Sequence, residues 1–512
     1  MPRMALLDRD FTLIADLLYE LAEDRPGHIA LVDGTRILTY AALNDGAQKV
    51  AATLQAKGLG KGDAIAICAA SSLEYALVFM GGLRAGVAVS PLAPSSTPES
   101  LAAMVADCAA PLLFLDDYTQ DVCAEVASSV QKIALDGTSC GLAFSTWLSG
   151  DPNSFKAVTI TEDDPFNIIY SSGTTGTPKG IVQSHGMRWL HVKRAGGFLY
   201  GPDAVAMIST PLYSNTTLVS FFPTLAFGGT VVLMKKFEAK NFLDLSQKHK
   251  ATHAMLVPVQ YTRLMNEPDF GTYDLSSYKM KFCTSAPFSG GLKKDILARW
   301  PGGLIEYYGM TEGGGTCILA AHLFPEKLHT VGTPAEGHDI RLIDEEGNEV
   351  PRGEIGEVVG HSGMMMKGYH NQPIKTAEAE WYAPDGRRFI RTGDVGRFDE
   401  DGFLQLMDRR KDMIISGGFN IYPSDIESVM SQHESVADVA VIGVPSEVWG
   451  ETPVGIVVAR KGSAVTAEEL CAWVNERVGK TQRLAYVKLV EELPRSAIGK
   501  ILKRELRDAL NT

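Results

Sequence analysis

The chain contains the stretch Tyr170-Ser-Ser-Gly-Thr-Thr-Gly-Thr-Pro-Lys-Gly180, which consists almost wholly of glycines and hydroxyl side chains with one lysine near its end. The apolar residues around it predict two strands, Asn167–Tyr170 and Gly180–Val182, so the stretch is the loop of a hairpin. Glycines leave backbone N–H groups open to a ligand, and consecutive N–H groups of this kind form concavities that bind anions. The hydroxyls and Lys179 add donors and a positive charge. The pattern predicts a phosphate-binding loop, and the alternative is a flexible surface turn.

The loop differs from the Walker loop of common nucleotidases. A Walker loop has four residues between its glycines, followed by a lysine and then a serine or threonine. Here two threonines separate Gly173 from Gly176, and a glycine follows Lys179. No hydroxyl directly after the lysine is in place to hold Mg²⁺, and no helix clearly follows. The sequence therefore argues against an ordinary P-loop enzyme.

The composition is that of an ordinary globular protein with more than one core. The chain has 512 residues, of which 45% are hydrophobic and 21% are charged. A net charge of −13 disfavours nucleic acid as a partner, since nucleic acid binds basic surfaces. Seven scattered cysteines without a Cys-x-x-Cys pair disfavour a disulfide framework or zinc site and favour a cytoplasmic protein. We expect neither a signal peptide nor a membrane span.

Strand and helix patterns alternate over most of the chain before Thr333. One alternation runs from the strand Ala64–Cys68 to the strand Pro111–Leu115, and another begins at Ala204–Ile208. This rhythm predicts an α/β fold with two doubly wound subdomains that share a cleft. From about Thr333, short strands separated by turns such as Glu346-Gly347 predict a small β-barrel-like subdomain.

The charged run Asp408–Asp412 separates two regions that differ in their pattern of strands and helices, and it predicts a hinge. The alternative is ordinary solvated surface, which such runs usually form. Downstream, Ser424-Asp425-Ile426-Glu427 predicts a capping box that opens a helix. Further strands and a helix complete a compact α+β domain. The predicted domains are therefore residues 1–408 and a mobile domain of residues 409–512.

Three further segments carry residues suited to a nucleotide. Glu306–Glu312 ends a probable strand with an aromatic ring, a hydroxyl and a carboxylate, which suit a base and Mg²⁺; the alternative is an ordinary turn. Arg391–Asp394 places a carboxylate after a glycine turn, where it accepts from ribose hydroxyls or merely caps the turn. Pro494–Lys500 ends in a lysine before a predicted basic helix, Ile501–Arg507; the alternative is a solvated lysine on a terminal tail.

In this order and spacing, the segments resemble the adenylate-forming superfamily of acyl-CoA synthetases, nonribosomal adenylation domains and luciferases. The resemblance covers nearly the whole chain. Each segment alone is weak evidence for the superfamily, whereas their shared order and spacing are specific to it. It rests on Ser171–Gly180, Tyr307–Glu312, Thr392–Asp394, Asp408–Asp412 with Gly417-Gly418, and Pro494–Lys500.

The resemblance implies a role for each matching residue. Lys500, Lys179, Thr311 and Glu312 make up the implied catalytic set, in which Glu312 binds Mg²⁺ and Lys500 lies between the carboxylate substrate and the α-phosphate. The residues implied to contact ATP are Ser171, Ser172, Gly173, Thr174, Thr175, Gly176 and Lys179 at the β- and γ-phosphates, Ser285, Ala286, Pro287, Tyr307, Tyr308 and Gly309 around the adenine, Thr311 at the α-phosphate, and Asp394 and Arg409 at the ribose.

The same resemblance implies two half-reactions in different surroundings. A carboxylate first attacks the α-phosphate, while Lys500 and Mg²⁺ stabilise the charge that develops. A thiol then displaces AMP from the acyl-adenylate, after the C-terminal domain rotates about a hinge at Lys411. Gly417, Gly418 and Trp449 would then face coenzyme A, although a lone tryptophan more often serves packing.

The segment Thr210–Thr217 matches the acyl-pocket motif of the superfamily. Many relatives have an aromatic residue or histidine where this chain has Ser214, so the resemblance does not assign a particular acid to this chain. The segment carries no charge, which disfavours a dicarboxylate such as malonate unless Arg188 or Arg194 reaches the pocket. An aromatic, heteroaromatic or medium-length aliphatic monocarboxylate fits best. The implied pocket residues are Trp189, Ser214, Asn215, Thr216, Gly309, Gly313 and Gly314.

The resemblance thus implies a carboxylic acid:CoA ligase that uses ATP, Mg²⁺ and coenzyme A. One alternative is a freestanding adenylation enzyme that loads a carrier protein, although no carrier segment follows Lys500 in this chain. Another is a non-catalytic nucleotide- or acyl-binding protein, which the presence of Lys500 and Glu312 disfavours. Luciferase-like oxygenation stays open. The expected partners are small molecules, and the expected state is a monomer or homodimer.

Overall fold

The structure is a computed structural model that describes residues 8–171, 178–409, 412–416, 419–446, 448–496 and 501–510. By packing, the chain divides into two compact units. The first comprises Met1–Leu328, Ala335–Asp339 and Gly360–Ile390, and the second comprises His329–Pro334, Ile340–Val359 and Arg391–Thr512. The predicted domain boundary between residues 408 and 409 stays a prediction. The second unit by packing begins earlier in the chain and includes Arg391–Thr512.

An eight-stranded sheet of the first unit contains the two strands that flank the predicted phosphate-binding loop. Its hairpin strands pair antiparallel, as predicted, and its other central strands pair in parallel. The helices Leu73–Ala85 and Pro98–Asp107 are its crossovers. The strand order is Gly368–Tyr369, Lys179–Ser184, Pro165–Ser171, Ala88–Pro91, Ala64–Cys68, Leu112–Leu115, Gln131–Ala134 and Leu142–Ala143.

A second sheet of the first unit carries the strand that leads to Thr311 and Glu312. Its central strands are parallel and a hairpin lies at each end, so the predicted doubly wound α/β architecture is confirmed. The order is Gly313–Ala320, Gly303–Met310, Met280–Cys283, His253–Leu256, Val205–Ile208, Thr230–Leu233, Ile29–Asp33 and Arg36–Thr39. The helices that accompany it are His185–Ala195, Asn215–Ala226, Ala239–His249, Pro258–Met265 and Gly290–Arg299.

One hydrophobic core joins the two sheets of the first unit. The helices Ile14–Asp24, Tyr40–Ala56, Leu73–Ala85 and Asn215–Ala226 contribute buried residues to it, as do strands of both sheets. At its centre the ring of Phe222 lies 5.4 Å from that of Phe79 and 5.1 Å from that of Phe166. Because burying one such ring stabilises a fold by about 1.5–3 kcal/mol, this cluster holds the hairpin and the helix Asn215–Ala226 in a constant geometry.

The C-terminal part of the second unit is a small sheet with helices on both faces. Its strands are Ile414–Ser416, Phe419–Ile421, Val436–Ser446, Gly450–Ala459 and Val487–Val490. One face packs on the helices Pro423–Met430 and Ala467–Asn475, and the other packs on Lys503–Asp508. The short strands predicted after Thr333, namely Ile340–Ile343, Gly356–Val359 and Gly402–Leu406, correspond to the strands Asp339–Ile343, Gly356–His361 and Leu404–Arg409. The strands Glu380–Tyr382 and Arg388–Phe398 were not predicted.

Two local predictions about this unit are wrong. The helix begins at Pro423, and the hydroxyl of Ser424 donates to the carbonyl of Met407 rather than capping the helix. Proline at the first helical position supplies the fixed φ that a helix start needs, so no capping box is required. The last helix begins at Lys503 rather than Ile501, because Ile501 pairs with Arg495 in a β-bridge.

The seven cysteines are free thiols. Within the described ranges, no helix has the length and apolar character that crossing a bilayer requires.

Candidate active site

Lys179 begins the second strand of the hairpin and pairs with Ser171 across it. Its ammonium lies over the ring of Tyr369, 4.9 Å from the ring centroid. A cation near an aromatic face is attracted by about 0.5–2 kcal/mol, so Tyr369 holds Lys179 beside the loop. The predicted loop residues lie outside the described part of the chain, and their phosphate-binding role stays a prediction; they are Ser172, Gly173, Thr174, Thr175 and Gly176.

Glu312 occupies the turn after the strand Gly303–Met310, and Tyr369 contacts it as well. The Tyr369 hydroxyl donates to Oε1 of Glu312 at 2.9 Å, and the N–H of Met366 donates to the Glu312 backbone carbonyl at 2.8 Å. Burial, and then the neighbouring Glu312, raise the pKa of Tyr369 well above its ordinary value, so this hydroxyl stays a donor. Tyr369 thus orients both Lys179 and Glu312. No sequence pattern predicts this role of Tyr369, since a Gly-Tyr pair carries no chemical signal of its own.

The donor set fits magnesium bound together with a nucleotide. Mg²⁺ keeps several waters and takes phosphate oxygens, so it needs only one or two carboxylates from the protein. Glu312 is one carboxylate at this turn, and its binding of Mg²⁺ stays a prediction. No group of three or more His, Cys, Asp or Glu in the described ranges could hold a metal ion by itself. Glu312 and Lys179 therefore match a metal that arrives with phosphate.

A buried polar network holds the backbone of Thr311. Gln183, which is fully buried in the second hairpin strand, donates from Nε2 to the Thr311 carbonyl at 2.7 Å. Its Oε1 accepts from Nη2 of Arg188. The same Nη2 lies 3.1 Å from Oδ1 of Asn167 and 3.1 Å from Oδ1 of Asn215. The network therefore connects Asn215 of the predicted pocket motif to the turn that carries Thr311.

Arg188 is the cationic centre of this network and is fully buried. Its guanidinium lies 5.5 Å from the ring centroid of Phe166 and 5.9 Å from that of Phe222. Burial lowers the pKa of Arg188 to about 9, which leaves it charged at neutral pH. Within the described residues, the faces of these two rings and the amide oxygens of the network offset the cost of burying its charge.

Ser285 links the predicted adenine segment to the pocket motif. Its φ of 83° is uncommon for a residue with a side chain. Its hydroxyl lies 2.6 Å from that of Thr216. Backbone strain of this type costs about 1–3 kcal/mol and clusters at ligand sites. Ala286 is partly buried and Pro287 is exposed. The segment therefore has one residue that a hydrogen bond fixes, Ser285, followed by two residues that solvent reaches.

Tyr307 and Tyr308 lie on opposite sides of their strand, as successive strand residues do. Tyr308 is buried and Gly309 is exposed. The ring of Tyr307 lies 5.8 Å from that of Phe282 and 5.9 Å from that of Phe198. We therefore correct the predicted place of Tyr307 beside the nucleotide and assign it to an aromatic cavity on the opposite side of the strand.

This cavity lies beside the predicted acyl-pocket motif. Ser214 precedes the helix Asn215–Ala226, and Val219 of that helix reaches the cavity wall. The volume is about 10 Å³, which holds about one water molecule, so a larger group must displace flexible side chains. The lining residues are His191, Arg194, Ala195, Tyr200, Val219, Met255, Phe282 and Tyr307.

Three other predicted pocket residues have different surroundings. Trp189 belongs to the main core and donates from Nε1 to the carbonyl of Asp10 at 2.7 Å, so we assign it to packing. Gly313 and Gly314 have φ values of 81° and 72°. A Cβ at Gly313 would lie 1.8 Å from the carbonyl oxygen of Met364. These glycines permit close backbone approach, which corrects the expectation that they leave the pocket floor open.

In the second unit, Asp394 lies opposite Arg409 in paired strands. Its backbone N–H donates to Oγ1 of Thr392 at 3.0 Å, and Thr392 Oγ1 donates to the Val358 carbonyl at 2.8 Å. Gly393 has a φ of 71° inside the strand Arg388–Phe398. The predicted turn is therefore an irregularity within a strand, and the ribose role of Asp394 and Arg409 stays a prediction.

Trp449 is 57% exposed, which disfavours the packing alternative. Gly450 pairs with Ser416, so Trp449 lies near the end of the strand Ile414–Ser416. Gly417, Gly418, Lys411 and Lys500 lie outside the described residues, and their predicted roles stay predictions.

The pattern of an AMP-binding enzyme matches residues 18–370, and that of the AMP-binding enzyme C-terminal domain matches residues 425–500. The chain belongs to the AMP-binding enzyme family.

Named relatives of this AMP-binding enzyme match it along nearly its whole length. The fatty acid–[acyl-carrier-protein] ligase ScoC of Streptomyces coeruleorubidus is 32% identical over 508 residues, 95% of this chain and 94% of that protein. The feruloyl-CoA synthase of an Amycolatopsis species is 32% identical over 488 residues, 94% of this chain and 96% of that protein. The ATP-bound crystal structure of MatB from Rhodopseudomonas palustris has a TM-score of 0.88 at 30% identity and covers 97% of this chain and 98% of MatB.

These similarities confirm the predicted superfamily, the α/β fold class and the acid–thiol ligase reaction class. They also confirm ATP, Mg²⁺ and coenzyme A as the small molecules that such an AMP-binding enzyme uses.

Proposed function

We propose that this AMP-binding enzyme activates an aromatic or heteroaromatic carboxylic acid and transfers its acyl group to coenzyme A. One observation carries the choice of acid. The strand Gly303–Met310 places Tyr307 in a cavity walled by aromatic rings, and four and five residues later the same chain reaches Thr311 and Glu312. Flat walls of this kind suit a planar acyl group whose far end reaches the cavity, while its ring lies between the cavity and the turn that carries Thr311. The similarity to feruloyl-CoA synthase supports the same class of acid.

The proposed first step joins the acid to the nucleotide. An oxygen of the carboxylate attacks the α-phosphorus, and the bond from that phosphorus to the pyrophosphate oxygen breaks. Lys179 would neutralise phosphate charge, Thr311 would bond the α-phosphate, and Glu312, which Tyr369 orients, would hold the metal. Mg²⁺, when bound, neutralises the charge on the departing pyrophosphate. Positioning and charge supply the catalysis, without a covalent protein nucleophile.

The proposed second step is thioester formation. The sulfur of the thiol attacks the acyl carbon, the thiol loses its proton, and AMP leaves with the electron pair of the broken carbon–oxygen bond. We propose that Asp394 and Arg409 hold the ribose, that Gly417, Gly418 and Trp449 face coenzyme A, and that Lys411 is the hinge. A cytoplasmic location and a monomeric or homodimeric state belong to the same proposal.

The acceptor has a second candidate, a carrier protein. The similarity to ScoC supports it, because ScoC is named as a ligase of an acyl-carrier-protein. The feruloyl-CoA synthase supports coenzyme A as the acceptor, and its sequence identity to this chain equals that of ScoC, at 32%.

The test is pyrophosphate release from ATP and Mg²⁺ over a panel of benzoates, furoate, hydroxycinnamates, aliphatic acids of graded length and malonate, with and without coenzyme A. Sustained turnover with an aromatic acid only in the presence of coenzyme A is the expected result. An acid-dependent burst that stalls with coenzyme A would favour the carrier protein. Turnover confined to aliphatic acids or malonate would contradict the proposed acid class.

Lys500→Ala tests the first step separately. We expect acyl-adenylate formation to fall by orders of magnitude, while conversion of a synthetic acyl-adenylate to the thioester stays nearly intact. Lys488→Ala, which removes an exposed lysine of the strand Val487–Val490, is the control. Equal loss in both half-reactions would remove Lys500 from its proposed role.

A further inference from the structure

Three nitrogen-bearing side chains on one helix bring buried donors to the same face. Arg188, His191 and Arg194 are spaced by three residues along the helix His185–Ala195, so they are neighbours on its surface. Hydrogen bond partners are lacking, among the described residues, for Nε and Nη1 of Arg188, Nδ1 of His191 and Nη1 of Arg194. Buried polar atoms in folded proteins are nearly always paired, so this group of atoms is unusual.

Neither arginine has a carboxylate partner in the described part of the chain. Burial lowers the pKa of both, and the other group that shifts the pKa of Arg194 is Tyr307. The guanidinium of Arg194 lies 5.1 Å from the Tyr307 ring centroid. Burial and then the two arginines lower the pKa of His191, so its ring is neutral at neutral pH. The helix face therefore carries two positive charges and one neutral imidazole.

The three side chains differ in what they face. Nη2 of Arg188 is occupied by amide oxygens of the network that holds Thr311. His191 and Arg194 instead line the small aromatic cavity. A cavity of about 10 Å³ holds about one water-sized group, so one oxygen atom of an acceptor group enters it more readily than a further ring does.

We propose that the activated acid carries an oxygen-bearing acceptor group at the end opposite its reacting carboxylate, and that Arg194, with His191, binds that group. This inference rests on the proposed function and deepens it, because it names the substituent that the acyl pocket selects. A carboxylate, nitro or carbonyl oxygen accepts from the guanidinium, whereas an alkyl group leaves the buried N–H donors unpaired. The motif Thr210–Thr217 has no charge of its own, and Arg194 supplies one from another helix.

The test compares acids that share a shape and differ in their end group. Terephthalate, 4-nitrobenzoate and 4-isopropylbenzoate present an anionic, a neutral oxygen-bearing and an apolar group of similar outline. The meta isomers and the same three groups on cinnamate extend the comparison to other lengths. Binding to the intact protein is measured by calorimetry, and kcat and KM are measured by pyrophosphate release. We expect at least one oxygen-bearing acid to bind at least about tenfold more tightly than its isopropyl counterpart.

Arg194→Met tests the assignment to this side chain. Methionine keeps an unbranched stem against Tyr307 but has no donor, so the preference for the oxygen-bearing acid should disappear, chiefly through KM. Arg194→Lys should restore part of it. Lys193→Met is the matched control, because Lys193 is the adjacent cation and donates to the carbonyl of Arg9 instead of lining the cavity. It should keep the preference of the wild-type protein.

The outcomes separate this inference from the proposed function. A preference for terephthalate alone, or for the nitro acid as well, supports the inference and tells whether the acceptor must be charged. Equal binding of oxygen-bearing and isopropyl acids, or a preference that survives in Arg194→Met, overturns it even if turnover is fast. Absence of turnover with every aromatic acid contradicts the proposed function, while the calorimetric comparison still decides the role of Arg194.

Discussion

The side-chain amide of Gln183 donates a hydrogen bond of 2.7 Å to the backbone carbonyl of Thr311. This bond joins the strand that follows the predicted phosphate-binding loop to the turn that carries Glu312. Because Gln183 is fully buried, the bond has no competition from bulk water, and it holds the turn in one position.

We expect Gln183→Leu to lower kcat for acyl-adenylate formation by about 10- to 100-fold, since a small displacement of positioned groups has effects of this size. Stability should fall by about 1–3 kcal/mol, because Arg188 loses an acceptor. Gln48→Leu is the matched control, as Gln48 also donates to a backbone carbonyl, that of Pro152, at 3.0 Å. Similar kcat values for the two variants would show that the bond does not position Thr311.

Tyr369→Phe should lower the affinity for magnesium, and so raise the Mg²⁺ concentration that the enzyme needs, while it leaves the ring beneath Lys179. Loss of the hydroxyl frees the Glu312 carboxylate to rotate, and groups that orient a metal ligand in this way are worth about 10- to 100-fold in metal affinity. The measurement is the Mg²⁺ concentration for half-maximal pyrophosphate release at fixed ATP. Tyr382→Phe, which removes a 2.9 Å hydroxyl bond to Glu380, should leave that concentration unchanged. A matching shift in both variants would contradict the role of Tyr369.

Gly313→Ala should destabilise the protein by about 2–5 kcal/mol, because the new Cβ combines a left-handed backbone with overpacking. The obstacle is a backbone carbonyl at 1.8 Å, which cannot move aside as a flexible side chain would. Gly137→Ala has a similar φ of 75° with nothing within 4 Å of the added atom, so we expect about 1–2 kcal/mol there. Urea unfolding of both variants checks the difference. Equal losses would mean that strain alone, and not the close approach, requires glycine at position 313.

Acid should destabilise the first unit through His185. Burial lowers the pKa of His185 to about 4 in the folded protein, below its ordinary value of about 6.5 in the unfolded chain. The unfolded chain then binds more protons between these values, so the free energy of unfolding decreases as pH falls from about 6.5 to 4, by at most about 3 kcal/mol for this group. Urea titrations across this range measure it.

His185→Gln removes the titrating group and should reduce the pH dependence of stability in that window. His329→Gln is the control, because His329 is exposed, and it should keep the wild-type dependence. If His185→Gln has the same slope as the wild-type protein, His185 does not contribute to acid destabilisation.

The sequence patterns that predicted correctly are local or depend on order along the chain. The hairpin around residues 170–180, the alternating strands and helices, and the succession of motifs all follow from the spacing of apolar residues, glycines and charges. The wrong predictions concern side chains whose partners are distant in sequence. Trp189 has the composition of a pocket wall, yet its partner is the carbonyl of Asp10. Ser424 has the spacing of a cap, yet its partner is Met407.

Tyr369 and Gln183 were not predicted for the same reason, because their partners are distant in sequence. Tyr369 is 57 positions from Glu312, and Gln183 is 128 positions from Thr311. No pattern within a window of residues distinguishes a tyrosine or glutamine that will contact such a partner from one that will not.

Hydrophobic periodicity was therefore sufficient for the α/β fold class, because it acts between near neighbours in the chain. The family and the reaction class were implied by the resemblance of the ordered motifs to a known superfamily. The orientation of Glu312, the anchoring of Thr311 and the placing of Arg194 in a cavity required the folded chain. Hydrogen bonds and packing depend on distance in space, and only the assembled sheets bring these side chains within reach of one another.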